Sequence, residues 1–446
     1  MDSETQYKIT PKINVFKNQN YSLLFWGVFV SNVAHIIFNF AISLYILELS
    51  APAYGQDNAA MIQAMYLALS GFVLVFLMPF GGVLADKLNK VRTMYLTDFI
   101  RGSVIIIIGI ILIFDISVLN KIILLFIMNL ILSINAAFFS PASSSLLRFV
   151  VSDEELQPAA SLLQGSHNFQ AIIGLILGGI LYSILGIVWI FIINGVGYLI
   201  SAFTEMFIRY DHHQHSSTDR LTLKIMLADI VDGTKYLFKQ RAIVAIMMMA
   251  LSLNFFLSPV FSNALPIFVK FKFAYEESYL FMNFMTPENW YSIISVSLSV
   301  AAIIMALILS RSATKEKYGK DLKKALVGFV APLAVISITM ILYYADRVQI
   351  NVVLIILISM MFLIGLASVA FNIPTSLIMQ RKIERNMLGK ISSVSSVLSQ
   401  ALIPISSLVA GLLISQINVT ALYLFCLIGM IVITTLYVFS KAANEI

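Results

Sequence analysis

Two ionisable residues that could take part in proton chemistry lie inside an apolar segment of the chain. Asp98 and Arg101 are three positions apart, a spacing that brings a carboxylate and a guanidinium together on one face of a helix. Burying either charge alone is costly, so we expect the two to pair with each other or with neighbouring helices. The pair predicts either a proton-sensitive gate or a structural ion pair that fixes helix packing.

A histidine lies on a polar stripe in the first apolar segment. Asn32, His35, Asn39 and Ser43 follow steps of three, four and four residues, which place all four on one helical face. Polar side chains at membrane depth should face a bundle interior or a water-filled cavity. Because imidazole titrates near neutral pH, His35 is either a proton-binding group or a neutral histidine bonded to a neighbouring helix.

A group of charges follows the second apolar segment, in residues 81–92. Gly82 has no side chain and permits close helix contact. Asp86 places a carboxylate at the membrane edge, among the three cations Lys87, Lys90 and Arg92.

The composition indicates a membrane protein. Of the 446 residues, 59% are hydrophobic and 12% are charged, whereas soluble domains carry about 25% charged residues. This excludes a soluble enzyme, and the apolar content excludes a disordered chain. Cys426 is the single cysteine, so no disulfide framework or thiol pair is expected. No cleavage-site pattern precedes the first apolar segment, so we expect no removable signal peptide.

Apolar stretches long enough to cross a bilayer predict helices, because only helices and closed barrels satisfy backbone polar groups in lipid. The stretches are continuous rather than alternating, which favours an all-α membrane protein over a barrel. We predict twelve transmembrane helices in two six-helix bundles, at residues 21–47, 59–85, 93–114, 121–147, 159–184, 186–208, 242–269, 290–310, 325–344, 350–377, 391–416 and 420–440. The fifth and sixth could instead be one helix with a re-entrant piece.

An even number of spans places both termini on one side of the membrane. The loops on that side carry 24 lysines and arginines, and the opposite loops carry only Lys121, Lys270, Lys272 and Arg347. By the positive-inside rule both termini are cytoplasmic, which accounts for the net charge of +6 without a nucleic-acid partner. The expected location is the bacterial inner membrane.

The longest polar stretch divides the chain in the middle. Its segment 222–240 is amphipathic and predicts a helix on the cytoplasmic membrane surface. Its three histidines, His212, His213 and His215, are expected to be solvated rather than to bind metal. We therefore predict an N-terminal bundle, a cytoplasmic linker and a C-terminal bundle, at residues 1–208, 209–241 and 242–446.

The two halves show a weak internal repeat with an offset of 233 residues. Pro141-Ala142-Ser143 matches Pro374-Thr375-Ser376, and Gly178 matches Gly411. Parallel six-helix repeats are related by an axis along the membrane normal, which agrees with the predicted division.

The loop at 81–92 resembles the signature G-x-x-x-D-[RK]-x-[GN]-[RK] of the major facilitator superfamily. Segments 97–102, 139–142 and 194–202 resemble the macrolide-efflux and enterobactin-exporter-like drug transporters. The likeness covers most of the first half and thins in the second.

This resemblance implies the major facilitator fold and a conformational latch formed by Gly82, Asp86, Lys87, Lys90 and Arg92. Asp86 would accept hydrogen bonds from the start of the eleventh span, near residues 389–392, where free N–H groups attract an anion. The latch would hold the cytoplasmic side shut. The equivalent loop at 311–324 lacks the aspartate, so the latch would be one-sided.

Spans one, four, seven and ten line the cavity in the superfamily. This implies a substrate cavity bordered by Asn32, His35, Asn39, Asn135 and Asn254, with interhelical hydrogen bonding as the alternative for each. Relatives often carry an acid at the position of His35, so His35 is expected to replace that acid as the proton-binding group. Gating or proton coupling is therefore assigned to Asp98, Arg101 and His35.

The sequence thus predicts a secondary active transporter that exports hydrophobic or amphipathic drugs by proton antiport and alternating access. The expected partners are a small-molecule substrate, protons and the lipid bilayer, and we expect a monomer without cofactor or metal. The alternative is a transporter of an endogenous metabolite, siderophore or lipid. No Walker A, Gly-x-Ser-x-Gly or His-Glu-x-x-His sequence is present, so neither ATP-driven transport nor an enzyme is supported.

Overall fold

The computed structural model describes residues 14–209, 235, 238, 240–273, 285–310, 318–382 and 397–439. Within these ranges, residues 82–87, 153, 157, 164, 241–242 and 380–382 are described by their backbone alone. The first half contains α1 (Gln19–Tyr54), α2 (Gln56–Lys87), α3 (Lys90–Ile111), α4 (Val118–Val150) and α5 (Asp153–Glu205). The second half contains α6 (Arg241–Pro259), a π-helical turn (Val260–Ala264), α7 (Leu265–Phe271), α8 (Pro287–Ser310), α9 (Gly319–Tyr344), α10 (Ile350–Lys382), α11 (Ile403–Gln416) and α12 (Val419–Val438).

The long helix α5 comprises two membrane spans. Its 53 residues would extend about 80 Å as one straight helix, far beyond a hydrocarbon core of about 30 Å. Gly186 interrupts the helix with φ 74°, a conformation that costs glycine little. Gly174 and Gly178 pack against Ile36 and Phe40 of α1 in ascending order.

The second part of α5 meets α1 in the opposite direction. Gly197 packs against Ala34, and Ser201 donates a hydrogen bond to the carbonyl oxygen of Gly27. The chain therefore reverses at Gly186, as the division into two spans predicts. With α6, the π-helical turn and α7 counted as one, eleven described helices are long and apolar enough to cross a membrane. Division of α5 at Gly186 makes twelve spans.

Caps and prolines explain several helix boundaries and bends. The Asn18 side chain accepts a hydrogen bond at the start of α1, and Ser152 with Glu155 forms a capping box at the start of α5. Pro259 precedes the π-helical turn, consistent with the local adjustment that follows loss of a backbone donor.

Because the number of spans is even, Asn18 at the start of α1 and Phe439 at the end of α12 lie at one end of the molecule, which we call the near end. The opposite end, which includes Gly55, Gly186 and Ala345, is called the far end. The predicted repeat places Pro141 inside α4 and Pro374 inside α10, the fourth and tenth spans.

The two halves pack against each other toward the far end. Leu44 and Ala41 of α1 belong to the same buried cluster as Phe268 of α7 and Leu333 of α9. Gly411 of α11 lies so close to Ala64 and Met61 of α2 that a larger residue would clash. Burial of this apolar surface stabilises the closed far end.

The predicted linker at 209–241, with its surface helix at 222–240 and its histidines, lies almost wholly outside the described residues. The division into three segments therefore stays a prediction.

Candidate functional site

Asp98 and Arg101 form a buried ion pair on α3, which we call the α3 ion pair. Arg101 Nη1 lies 3.0 Å from Asp98 Oδ1, and both side chains are buried. The guanidinium also lies 4.8 Å from the ring centre of Phe139 on α4 and 5.5 Å from that of Tyr198 on α5. Aromatic faces stabilise a guanidinium that has lost its water, so three helices hold this cation in place.

Tyr198 connects the α3 ion pair to His35. The Tyr198 hydroxyl lies 3.1 Å from His35 Nδ1, and His35 Nε2 lies 2.9 Å from Asn39 Nδ2. Tyr198 is buried, whereas His35 and Asn39 are exposed in the middle of α1. The imidazole thus has one nitrogen directed at the buried tyrosine and the other at an exposed amide.

A second polar network joins α1 to the first span of α5. Asn32 Nδ2 donates to Gln170 Oε1 over 3.2 Å, and His167 Nδ1 lies 3.1 Å from the same oxygen. His167 precedes Gly174 by about two turns and therefore shares its α1-facing side, yet it is exposed. Imidazole and amide groups inside membrane-spanning helices are expected to face a bundle interior or water rather than lipid.

A second acid, Glu205, interacts electrostatically with Asp98 and Arg101 of the α3 ion pair. Glu205, the last residue of α5, is fully buried, and its Oε1 lies 3.4 Å from the Ser201 hydroxyl. Glu205 Oε2 and Asp98 Oδ2 are buried atoms without a hydrogen-bond partner among the described residues. The site therefore contains two buried carboxyl groups beside one guanidinium.

The two remaining predicted cavity residues bond to backbone carbonyls. Asn135 is buried, and its amide donates to the Ile131 carbonyl of its own helix over 2.7 Å. Asn254 donates to the Ser399 carbonyl over 2.9 Å. Asn254 therefore links α6 to the segment that precedes α11.

The predicted latch lies at the near end. Gly82, Asp86 and Lys87 belong to the end of α2, but their side chains and residues 389–392 lie outside what the structure describes. Lys90 is buried with its ammonium group 5.0 Å from the ring centre of Phe149. The Arg92 amide donates to Asn89, which caps α3.

The far end holds four polar side chains that we call the far-end ion cluster: Glu48, Tyr182, Lys270 and Glu288. Lys270 Nζ lies 2.7 Å from Glu48 Oε2 and 3.5 Å from Glu288 Oε1. The Tyr182 hydroxyl donates to the same Glu48 oxygen over 2.7 Å. Glu48 and Tyr182 belong to the first half, and Lys270 and Glu288 to the second, so the cluster joins the halves.

Two further contacts reinforce this junction. The Ser292 hydroxyl of α8 donates to the Leu175 carbonyl of α5 over 2.8 Å, and Phe40 of α1 stacks on Tyr291 of α8 at 4.7 Å between ring centres. Gly179 of α5 permits the approach, since any side chain there would overlap Ser292.

Glu48 and Glu205 are not among the site residues predicted from the sequence. The position of Glu205 could have been found from helical spacing. Tyr198, Ser201 and Glu205 follow steps of three and four, which place them on one helical face. For the far-end ion cluster no local signal exists, because its members come from four separate helices.

A sequence profile of the Major Facilitator Superfamily matches residues 24–407. The uncharacterized MFS-type transporter YkuC of Bacillus subtilis (strain 168) is 24% identical over 241 residues, which are 52% of this chain and 53% of the relative. Macrolide efflux protein A of Streptococcus pyogenes is 26% identical over 200 residues, 43% of this chain and 46% of the relative. The chain thus matches about half the length of these relatives.

Solved transporter structures share the fold. A POT family transporter in complex with 5-aminolevulinic acid has a TM-score of 0.72 at 15% identity, covering 95% of this chain and 96% of that one. A bacterial homologue of the iron transporter ferroportin in an inward-facing state has a TM-score of 0.68 at 14% identity, covering 95% and 98%. With twelve spans in two halves and a superfamily match across most of its length, the chain belongs to the major facilitator superfamily of transporters.

Proposed function

We propose that this transporter exports hydrophobic or amphipathic small molecules in exchange for protons. Two six-helix bundles, divided at residues 209–241, rock about a central space and expose it alternately to the two sides. The protein works as a monomer in the bacterial inner membrane with both termini in the cytoplasm, as the distribution of lysine and arginine supports.

The observation that carries the proton-coupling proposal is the line of contacts from His35 to Asp98. The exposed imidazole contacts the Tyr198 hydroxyl, the Tyr198 ring contacts Arg101, and Arg101 pairs with Asp98. A change in the charge of His35 therefore alters the environment of a buried ion pair two contacts away. Ionisable residues inside membrane helices commonly serve proton pathways.

The contacts between the halves support alternating access. The far-end ion cluster and the Ser292 contact close the space at the far end, which is the outer end in this proposal. Closure of the near end in the opposite state is assigned to the latch at Asp86, whose carboxylate would receive backbone N–H groups at the start of the eleventh span.

The substrate class rests on a relative and on the chemistry of the exposed groups. A macrolide efflux protein is among the relatives. The exposed polar groups of α1 and α5 at mid-membrane, His35, Asn39 and His167, are an amide and two imidazoles, which can bond to the hydroxyl and carbonyl groups of an amphipathic compound.

Transport into inverted membrane vesicles tests this function. Vesicles that contain the full chain should accumulate radiolabelled erythromycin when an acidic interior is imposed, and vesicles without the protein should not. A protonophore should abolish the accumulation, because it collapses the proton gradient. Accumulation that is unaffected by the protonophore would refute proton antiport, and the absence of accumulation across a panel of amphipathic drugs would refute drug export.

A further inference from the structure

The surroundings of Glu205 set it apart from an ordinary acid at a helix end. Its carboxyl group is fully buried between α1 and α5, where it packs against Gly27. Its polar neighbours are Ser201 on its own helix and the α3 ion pair. The Ser201 hydroxyl is shared, since it also lies 3.0 Å from the Gly27 carbonyl oxygen.

The charges in this group do not balance when both acids are ionised. Asp98 and Glu205 would contribute two negative charges, and Arg101 contributes one positive charge, so the buried group would carry a net negative charge. An uncompensated carboxylate away from water is very unfavourable. One added proton makes the group neutral.

Each acid offers one buried oxygen to that proton, and only Asp98 has a counter-charge in contact. Asp98 uses Oδ1 to bind Arg101, and Glu205 uses Oε1 to approach Ser201, so each acid keeps one buried oxygen without a partner among the described residues. An unpaired buried carboxylate oxygen is costly, whereas a protonated carboxyl group carries no charge to stabilise.

We propose that the group formed by Asp98, Arg101 and Glu205 binds one proton and that Glu205 carries it when the far end is closed. Arg101 neutralises Asp98, and the proton neutralises Glu205. Release of the proton leaves the group with one negative charge, so the released form favours a conformation in which water or a cation reaches Glu205. The role in transport rests on the proposed proton antiport, but the proton site itself does not.

Infrared spectroscopy tests the site without any substrate. The purified full chain at neutral pH should show the C=O stretching band of a protonated carboxyl group, which shifts in deuterated water. Glu205→Gln should remove the band. Asp98→Asn should remove it as well, because Glu205 and Arg101 then balance each other and Glu205 ionises. Glu154→Gln changes an exposed acid of the same helix and should leave the band unchanged.

The two variants make the test decisive. If the band persists in Glu205→Gln, Glu205 does not carry the proton. If it persists in Asp98→Asn, the charge balance is wrong. Should Glu205→Gln fail to elute as a folded protein in size-exclusion chromatography, Asp98→Asn still decides the proposal.

Transport measurements separate the site from the function. Glu205→Gln mimics a group that never releases its proton, so gradient-driven erythromycin accumulation should be lost while exchange of internal for external erythromycin persists. Full gradient-driven accumulation by this variant would overturn the proposal while leaving proton antiport intact. If the wild-type protein moves no drug but shows the band, the proposed function fails and the proton site stands.

Discussion

Lys270 Nζ lies 2.7 Å from Glu48 Oε2, and this ion pair joins the second half of the transporter to the first. Glu288, 3.5 Å from the same ammonium group, belongs to the half that contains Lys270. When the far end opens, Lys270 must leave Glu48, but it can stay with Glu288. We therefore expect the lysine to keep a counter-charge in both states, which would lower the cost of opening.

This partner exchange predicts opposite effects of two matched substitutions. Glu48→Gln should increase the population that is open at the far end, because it removes the ion pair between the halves. Glu288→Gln should decrease that population, because Glu48 is then the remaining acid beside Lys270. Since Glu48 is half-exposed, we expect shifts of about 1 kcal/mol or less, up to about fivefold in population. Spin labels at Gln56→Cys and Ile417→Cys, in a Cys426→Ala background, would report the distance across the far end. Shifts in the same direction would contradict the exchange.

Removing the buried guanidinium should be strongly destabilising. Arg101→Met leaves Asp98 without a counter-charge in the bundle interior, at an expected cost of about 3–5 kcal/mol. Thermal unfolding of the purified protein in detergent would measure the loss. The double variant Asp98→Asn/Arg101→Met should recover much of it, since neither charge remains. Equal stability of the single and double variants would show that the unpaired Asp98 charge does not cause the destabilisation.

His35 is expected to couple proton movement to transport. His35→Ala should abolish gradient-driven accumulation in inverted vesicles, while weakened equilibrium binding of erythromycin remains, because Asn39 and His167 still offer hydrogen-bonding groups. Tyr198→Phe, which keeps the ring beside Arg101 but removes the hydroxyl that contacts His35, should reduce coupling in the same direction. If coupling survives in His35→Ala, the proton-binding role passes to Asp98 and Glu205.

Asp86 is expected to stabilise the state closed at the near end. Asp86→Asn keeps the shape of the side chain but removes the charge that attracts a helix N-terminus, so transport at normal expression should fall several-fold. Drug susceptibility of cells that express the variant would show this, with protein levels measured in the membrane fraction. Asp115→Asn at the far end is the matched control. Transport by Asp86→Asn at the wild-type rate would contradict the proposed latch.

The fold was predictable because each span carries its own signal. Continuous apolar stretches mark membrane helices without reference to any other part of the chain. Gly186 marks a reversal that the predicted boundary between spans five and six already anticipates. The helices extend beyond the predicted apolar cores, as α1 does from Gln19 to Tyr54. The Asn18 cap stabilises the start of α1 outside the hydrocarbon region, where apolar character gives no signal.

The site was predictable only where its residues lie on one helix. The spacing of Asp98 and Arg101 follows from helical periodicity, and the structure brings them together. Tyr198 and Glu205 belong to a different span, and their approach to Arg101 depends on how the helices pack. Lys270 and Glu48 are far apart in sequence and meet only because the two halves close at the far end. Contacts between residues of different helices produce no periodic pattern in a single sequence.

The single-glycine turn at Gly186 gives α5 a mechanical role. Its first span contacts the opposite half through Tyr182 and Leu175, and its second span carries Tyr198, Ser201 and Glu205. Because Gly186 alone separates the two spans, we expect them to tilt together as a helical hairpin. We expect motion at the far end to reach Glu205 at the near end through this hairpin and its packing on α1.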